Sequence, residues 1–416
     1  GGLIVKSLKF LLGATALCAT PAMATDLEVT HWWTSGGEAA AVAEFAKAFN
    51  DGGDNWVDGA IAGSGGVARP IIISRIIGGD PMGATQLNHG RQAEELVEAG
   101  LMTDLTDIAE AEGWADLVNP PRLLESCTLD GKVYCVPVNI HSPQWLWLSH
   151  AAFKKAGVPV PADWNEFVAA APALREAGVT PLAMGQQPWQ TQLAFDAMMS
   201  ALGGTELYMS ILNGKDADAA GSAEATAVFQ AYADARALSD GSNVQDWNQA
   251  TNLVITGMAG GQIHGDWAQG EFQVAEQVAG VDYTCLPGLG LHDVIATGGD
   301  AFYFPKSDDA EITAAQKRMA SQMMSKEVQV AFNLKKGSLP IRGDVDLTAA
   351  NDCMKKGLAI LASGNILPDG VNAFSADTQG QIQDLMVEFW NDQSVTVADA
   401  QARYVEIIAK DRKSVV

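Results

Sequence analysis

Short β-rich runs alternate with alanine-rich helical runs along almost the whole chain, and this alternation limits the possible folds more than any other feature. The first unit is typical: residues 27–33 alternate and are rich in β-branched and aromatic side chains, which predicts a strand. Residues 34–37 form a polar, glycine-rich loop, and residues 39–49 then have apolar side chains at helical spacing. Residues 35–38 therefore lie where the N-terminus of a helix exposes backbone N–H groups.

The same pattern continues over nearly 400 residues and predicts an α/β architecture. Further strands are predicted at 84–87, 132–138 and 145–148, and a glycine-broken apolar run lies at 258–265. Helices are predicted at 69–77, 94–99, 163–177, 190–202, 222–239, 311–333, 347–362 and 376–391. A length of 416 residues predicts two or three domains or two lobes. Because no low-complexity linker occurs, we expect these units to be joined by crossovers rather than by one hinge linker.

The first 24 residues are typical of a secretory signal peptide. Lys6 and Lys9 precede the apolar run 10–19, and the small-residue site Ala22-Met23-Ala24 follows. About 10 apolar residues cannot cross a bilayer, which takes about 20, and no later run reaches about 18. We therefore predict cleavage after Ala24 and export to the periplasm.

The chain is strongly acidic, with 50 Asp and Glu against 26 Lys and Arg and a net charge of −24. Loss of residues 1–24 removes two lysines and no acid, so the mature chain has a net charge of −26. A surface of this sign repels phosphates, which argues against DNA, RNA and anionic membranes as partners.

Four of the five cysteines remain in the mature chain: Cys127, Cys135, Cys285 and Cys353. They allow three pairings, and an oxidising compartment favours disulfides. Cys127 and Cys135 flank a turn signal at 129–132, so a hairpin would bring them together. We predict the pairs Cys127–Cys135 and Cys285–Cys353, because this spacing does not support the alternative of a zinc site.

Motifs of catalysis are absent from the sequence. It has no P-loop and no H-E-x-x-H, and none of its six histidines pairs at i,i+4, so we expect neither a cofactor nor a metal. Ser64 lies in Ala-Gly-Ser-Gly-Gly, which lacks the first glycine of a nucleophile elbow. The alternative of a catalytic pair of carboxylates stays open, because 50 acidic residues provide many pairs at the separation that glycosidases use.

Tryptophan is the unusual component, with 11 among 30 aromatic residues. Trp32, Trp33, Trp189 and Trp267 stand beside polar residues in glycine-rich breaks. An indole offers a flat face to the C–H surface of a sugar ring, and neighbouring polar groups bond its hydroxyls. Six others are assigned to packing: Trp56, Trp114, Trp145, Trp147, Trp164 and Trp390.

Several motifs together resemble a known family. They are the opening at 28–38 (Glu-Val-Thr-His-Trp-Trp-Thr-Ser-Gly-Gly-Glu), Asn-His-Gly at 88–90, Trp-Leu-Trp at 145–147, Gly-Asp-Trp-Ala at 265–268, Gly-Asp at 299–300, and 332–342 with Lys-Gly-Ser-Leu-Pro-Ile-Arg. In these segments the chain is similar to the extracellular solute-binding proteins (family 1) of ABC sugar importers, specifically the glucose/mannose-binding branch.

The resemblance implies a type II periplasmic-binding-protein fold, in which two α/β lobes with a multi-strand hinge enclose a ligand cleft. The N-lobe would comprise 25–138 plus 299–345, and the C-lobe 139–298 plus 346–416. Trp32 and Trp33 would stack on the sugar or form a wall beside it, and Trp267 would supply an aromatic face from the opposite lobe. The resemblance also assigns hydroxyl contacts to Glu38, Asn88, Asp300 and Lys336, and places His89 at the rim.

The implied function is that of a monomeric receptor, which captures a neutral monosaccharide and delivers it to an ABC permease without chemical change. Relatives carry a Lys near Asn88 and a His in the region matching 367–376, and this chain has neither, so Asp369 or Asn372 would substitute. Two alternatives stay open: a secreted glycoside-active enzyme, and the same fold binding an oligosaccharide or another solute.

Overall fold

The computed structural model of the chain describes Gly2 and residues 23–411, without the side chains of Val371 and Asn372. Most of the predicted signal segment, with Lys6, Lys9 and Cys18, lies outside the described residues.

Strands and helices alternate throughout the described part of the chain. The strands are β1 (Asp26–His31), β2 (Asn55–Ala60), β3 (Ala84–Asn88), β4 (Thr128–Leu129), β5 (Lys132–Val133), β6 (Cys135–Pro137), β7 (Trp145–Ser149), β8 (Thr180–Leu182), β9 (Ala259–His264), β10 (Tyr283–Pro287), β11 (Ile295–Thr297), β12 (Asp300–Tyr303) and β13 (Ile366–Pro368). The helices are α1 (Gly36–Asp51), α2 (Ser64–Ile77), α3 (Glu94–Glu98), α4 (Thr106–Ala111), α5 (Trp114–Leu117), α6 (Arg122–Glu125), α7 (His150–Ala156), α8 (Trp164–Glu176), α9 (Pro188–Leu212), α10 (Ala217–Ala220), α11 (Ala223–Arg236), α12 (Trp247–Ile255), α13 (Ala268–Val274), α14 (Ala310–Met324), α15 (Lys326–Lys336), α16 (Asp352–Ser363), α17 (Gly370–Ala373), α18 (Ala376–Asn391) and α19 (Val397–Lys410).

Two sheets form the centres of two α/β lobes, as the predicted fold class requires. The first has the strand order β2-β1-β3-β12-β6, with β1 parallel to β2 and β3, and β12 antiparallel to β3 and β6. The second has the order β10-β7-β9-β8. The register of the first sheet pairs Asn88, the last residue of β3, with Asp300, the first of β12. Both residues therefore lie at the edge where β1 also ends, which is where α/β sheets bind ligands.

The chain connects the lobes through segments that hydrogen-bond to one another. His141 and Gly298 exchange backbone hydrogen bonds of 3.3 and 2.8 Å, and Ile140 and Leu339 exchange bonds of 2.7 and 2.9 Å. This is a multi-strand hinge. All strands of the first sheet fall within the predicted N-lobe ranges and those of the second within 139–298. The boundaries of the lobes themselves stay a prediction.

Two aromatic clusters lie in the hydrophobic core. In the first, Trp33 packs against Phe45, Phe302 and Phe332, with ring centroids 5.2–6.3 Å apart. In the second, α9, α11, α18 and α19 pack together, with Phe195 contacting Phe229, Tyr232 and Tyr404. The six tryptophans assigned to packing are all buried, at most 8% exposed.

Both predicted disulfides are present. Cys127 pairs with Cys135 across a Cα–Cα distance of 5.0 Å, and Cys285 pairs with Cys353 across 6.1 Å. The second bond joins β10 to α16, which are far apart in sequence. Among the described residues, no group of three or more His, Cys, Asp or Glu side chains is arranged to hold a metal ion. No helix within 23–411 combines the length and the apolar character of a membrane span.

Several helices and strands begin or end at other residues than predicted. The predicted helix 311–333 is divided into α14 and α15 because Ser325, in an extended conformation, caps α15 through the Val328 N–H. The predicted strand 27–33 ends at His31. The side chains of Trp32 and Trp33 are therefore not bound to the alternation of a strand, which would point them to opposite faces of the sheet. Helix α9 extends to Leu212 past a break at Gly204, where φ is 85°.

Candidate functional site

A large cleft lies between the two lobes, with about 960 Å³ of empty space including the part open to solvent. Residues from both lobes line it: Trp32, Trp33, Glu38, Ser64, Gly65, Gly66, Arg69, Asn88, Asp300 and Lys336 on one side, and His141, Pro143, Trp189, Gln192, Leu193, Asp196, Tyr208, Trp247, Trp267, Asp369, Gly370, Gln379 and Gln383 on the other. The cleft thus brings together every predicted ligand-binding residue except His89.

Trp32 and Trp33 follow β1 directly, and they occupy different environments. Trp33 is 1% exposed, within the aromatic core, and the Lys336 ammonium lies 5.5 Å from its ring centroid. The Trp32 backbone N–H donates to Gln86 Oε1, and the Arg69 guanidinium lies 5.2 Å from the Trp32 ring. Trp33 is therefore mainly a packed residue at the floor, while Trp32 forms a side wall.

Two helix ends place Glu38 and Lys336 next to each other. Ser35 caps α1 in a capping box with Glu38, and Lys336 is the last residue of α15, before the left-handed Gly337. Lys336 Nζ lies 3.2 Å from Glu38 Oε1. Burial raises the pKa of Glu38, and the attraction of Lys336 opposes this shift.

Asp300 is a carboxylate of the cleft with several hydrogen-bond partners. It accepts hydrogen bonds from Gln86 Nε2 at 3.0 Å and Asn139 Nδ2 at 2.9 Å, and His141 Nε2 lies 3.2 Å away. Burial favours the neutral acid, but His141, Lys336 and the Asn139 bond outweigh it and hold the pKa of Asp300 well below its usual range. Burial likewise opposes charge on His141, yet Asp300 raises the pKa of that imidazole. Asp300 is therefore a fixed anion and acceptor.

Asn88, at the edge of the first sheet, is hydrogen-bonded to Arg69, a cation that was not among the predicted site residues. Arg69 Nη2 donates to Asn88 Oδ1 at 2.7 Å, and Asn88 Nδ2 donates to the Gly299 carbonyl at 3.3 Å. Burial lowers the pKa of Arg69 to about 10, so the guanidinium stays charged at neutral pH. Arg69 thus supplies a cation near the position where the resembled family carries a Lys.

The structure places His89 behind the cleft wall rather than at the rim. The residue is 1% exposed, and neither ring nitrogen has a hydrogen-bond partner among the described residues. A Cβ atom on Gly299 would lie 2.8 Å from His89 Nε2, so the ring packs against the turn before Asp300. Burial lowers the pKa of His89 to about 3, which keeps the ring neutral.

The opposite lobe supplies an aromatic wall built around His264. Trp267 Nε1 donates to His264 Nε2 at 2.7 Å, and the His264 ring stacks on Trp247 at 5.1 Å. Burial lowers the pKa of His264 to about 3, so its Nε2 is available as an acceptor. The Trp267 ring also meets His141 edge to face at 4.9 Å, and Trp189 lies 6.3 Å from Trp267. These contacts fix the orientation of Trp267 toward the cleft.

An acidic region closes the C-lobe end of the cleft. Asp369, which the sequence suggested as a substitute for the absent His, lines it together with Asp196. Burial and the neighbouring Asp369 raise the pKa of Asp196 to about 8. The side chain of Asn372, the other suggested substitute, lies outside the described residues.

The charges of the cleft nearly cancel, in contrast to the net charge of −24 on the chain. Lys336 faces Glu38, His141 faces Asp300, and Arg69 is bonded to Asn88. Indole faces alternating with paired donors and acceptors suit an uncharged polyhydroxyl molecule.

Comparison with known proteins agrees with this geometry. Residues 33–317 match the family model of the bacterial extracellular solute-binding protein. A probable sugar-binding periplasmic protein of Rhizobium meliloti (strain 1021) is 37% identical over 357 residues, 85% of each chain. Two solved structures share the fold at 19% identity: the solute receptor AcbH (TM-score 0.76; 92% of this chain, 98% of AcbH) and maltose-bound T. maritima MalE3 (TM-score 0.74; 92% and 99%).

Proposed function

Because the chain belongs to the family of bacterial extracellular solute-binding proteins, we propose that it is a periplasmic receptor that binds one neutral monosaccharide of the glucose or mannose type for an ABC permease. The relative from Rhizobium meliloti is named as sugar-binding and periplasmic. AcbH is described as exclusive for β-D-galactopyranose, while MalE3 holds maltose, so the fold accepts both ligand sizes.

One observation carries the assignment of a neutral ligand: the cationic groups of the cleft are already engaged by its own carboxylates and amides. Lys336 is held by Glu38 and His141 by Asp300, so a charged solute would have to compete for these partners. Trp32 and Trp267 offer indole surface from opposite lobes. The C–H faces of a pyranose fit such walls, and its hydroxyls fit Asp300, Asn88 and Lys336.

Binding on this proposal works by closure of the lobes around the sugar, with no bond made or broken. The lobes already touch across the cleft, where Gln187 Nε2 donates to Ser64 Oγ at 3.2 Å and the Gly37 N–H donates to Glu271 Oε1 at 3.1 Å. Ser64 thus serves as a contact between the lobes. A permease that distinguishes the closed form from the open one would couple binding to transport.

Calorimetry with purified protein tests the proposal against D-glucose, D-mannose, D-galactose, D-xylose and maltose. We expect one site per chain, tighter binding of a hexose than of maltose, and stabilisation of about 2.7 kcal/mol at a ligand concentration 100 times Kd. Tighter binding of maltose would mean that the ligand is an oligosaccharide rather than a monosaccharide. No response to any sugar would refute the sugar-binding assignment.

The glycoside-active alternative is tested with chromogenic glycosides of the sugar that binds. We expect stoichiometric binding without release of the chromophore, because the family consists of solute receptors. Steady turnover that survives repurification would favour the enzyme. Light scattering during gel filtration tests the monomer, with a mass near 43.8 kDa less any cleaved signal segment.

A further inference from the structure

Asp196 is a buried carboxyl group of the cleft that the roles above leave unexplained. It lies on α9, is 8% exposed and lines the cleft. Its Oδ2 accepts a hydrogen bond from Gln192 Nε2 at 3.4 Å, while Oδ1 has no hydrogen-bond partner among the described residues. Gln192 is itself fixed by reciprocal bonds with Gln379 at 2.8 and 3.2 Å. The carboxyl is therefore oriented, with one oxygen engaged and the other buried beside the cleft without a partner in the described part of the chain.

The groups around Asp196 disfavour its ionised form. The charged neighbour that acts on it is the Asp369 carboxyl. Burial and Asp196 in turn raise the pKa of three phenols, those of Tyr208, Tyr232 and Tyr404, which stay neutral beside it. Arg122, a cation of this region, interacts with Asp369 and Tyr208 and is not among the groups that shift the pKa of Asp196. A buried carboxyl beside another carboxyl, with no cation bound to it among the described residues, is most stable with its proton, consistent with the pKa of about 8.

The location of that proton follows from the hydrogen bonds. Gln192 Nε2 can only donate, so Oδ2 must accept, and the proton belongs on Oδ1. An oxygen that carries a proton and has no protein acceptor can donate to a ligand oxygen. A carboxylate at this place could only accept.

We propose that Asp196 contacts the bound sugar as a neutral carboxylic acid, whose Oδ1–H donates to a hydroxyl oxygen of the ligand. This inference rests on the proposed function, since it requires a sugar in the cleft. It adds a donor at the C-lobe end, where the resembled family carries a histidine and this chain has none. Asp196 is then a specificity-determining residue, because it requires an acceptor oxygen on the part of the sugar that reaches α9.

Substitution by asparagine separates the neutral acid from the carboxylate. An amide donates and accepts from nearly the same two positions as a protonated carboxyl, so Asp196→Asn should keep the sugar affinity at pH 6.5 within about threefold. Asp196→Ala removes the donor and should weaken binding by about tenfold. Asp384→Asn, an exposed change on α18, is the matched control and should leave the affinity unchanged.

The pH dependence gives a second readout on the same proteins. Deprotonation of Asp196 removes the donor, so the affinity of the wild type for its tightest-binding sugar of the panel should fall between pH 6.5 and 9. Asp196→Asn should show a flatter profile over this range. Identical pH profiles for the wild type and Asp196→Asn, or a loss in Asp196→Asn as large as in Asp196→Ala, would overturn the inference.

A sugar-free measurement keeps the inference separate from the proposed function. The infrared difference spectrum between the wild type and Asp196→Asn at pH 6.5 should contain the carbonyl band of a protonated carboxyl, which disappears at pH 9. Absence of this band overturns the neutral acid even if sugar binds. If the band is present but no sugar binds at any pH, the proposed function fails and the sugar contact fails with it.

Discussion

Lys336 Nζ lies 3.2 Å from Glu38 Oε1, and both side chains are less than a tenth exposed. The two residues are 298 positions apart, and they join the first turn of α1 to the last turn of α15 at the floor of the cleft. The pair is therefore a structural clamp as well as a sugar-contact candidate. Removal of either partner leaves a buried charge without its counterion.

Lys336→Met should lower the free energy of unfolding by about 3–5 kcal/mol, because it leaves the buried Glu38 carboxylate without its counterion. Urea denaturation at neutral pH measures the effect. The double variant Glu38→Gln/Lys336→Met should recover most of the loss, since no buried charge then remains. A double variant as unstable as the single one would show that packing against Trp33, rather than the ion pair, is what matters.

Trp267→Ala should weaken sugar binding by about 10- to 100-fold, because the indole supplies apolar contact from the C-lobe side of the cleft. Calorimetry with the sugar that binds most tightly measures the loss. Trp267→Phe should retain part of the affinity. Trp390→Phe, within the core and away from the cleft, is the control and should lower stability without changing affinity.

Local patterns were enough to predict which residues line the candidate cleft where those residues follow strand ends. Motif residues occupy the end of β1, the last position of β3 (Asn88) and the first position of β12 (Asp300). The sheet register brings these three positions to one edge. His89 was placed in the same set although neighbouring side chains of an extended segment point to opposite faces. Asn88 faces the cleft, so its neighbour faces the interior.

The C-lobe half of the site was harder to predict for a physical reason. Gln192 and Asp196 lie on α9, which is buried along most of its first half, so the sequence pattern does not indicate which face meets the cleft. Arg69 appears as an ordinary surface helix cation until α2 is placed beside Asn88. Helix α19, with buried Ala400, Tyr404 and Ile408 at helical spacing, was missed although its pattern is local.

The two disulfides should contribute unequally to stability. In the chain-entropy account the stabilisation grows with the enclosed loop, and the sequence separations are 68 for Cys285–Cys353 and 8 for Cys127–Cys135. Replacing the first pair by alanine should cost about 4 kcal/mol, and replacing the second about 2.5 kcal/mol. Denaturation of the two double variants compares them directly. Equal losses would mean that local packing outweighs loop closure.

Asp266 should make the protein less stable as the pH rises from about 4 to about 7. Burial raises the pKa of this carboxyl to about 7, although His141 and the Ser142 N–H oppose the shift. The unfolded chain ionises near pH 4, so it releases its proton first, and the stability contribution present below pH 4 is lost as the pH approaches 7. The loss is on the order of 4 kcal/mol at most.

Asp266→Asn isolates this effect from the other titrating groups, some of which shift in the opposite direction. The difference in unfolding free energy between Asp266→Asn and the wild type should grow in favour of the variant from pH 4.5 to pH 7.5. Urea denaturation at three pH values measures it. A difference that does not change with pH would show that Asp266 ionises normally in the folded state.

Gly37 should be required for the lobes to close. A Cβ atom on this residue would lie 2.6 Å from the carbonyl carbon of Gly270 in α13 of the opposite lobe. Gly37 lies in the first turn of α1, where alanine fits the backbone, so the cost of Gly37→Ala comes from this contact alone. We expect about tenfold weaker sugar binding and a larger radius of gyration in solution scattering.

Gly380→Ala is the matched control, because a Cβ atom on this helical glycine of α18 has no neighbour within 4 Å. It should raise stability by about 0.5–1 kcal/mol and leave both the affinity and the radius of gyration unchanged. If Gly37→Ala lowers the unfolding free energy but binds sugar as tightly as the wild type, the contact between Gly37 and Gly270 belongs to the hinge in both forms. Weaker binding together with a larger radius of gyration would instead show that this contact forms only in the closed form.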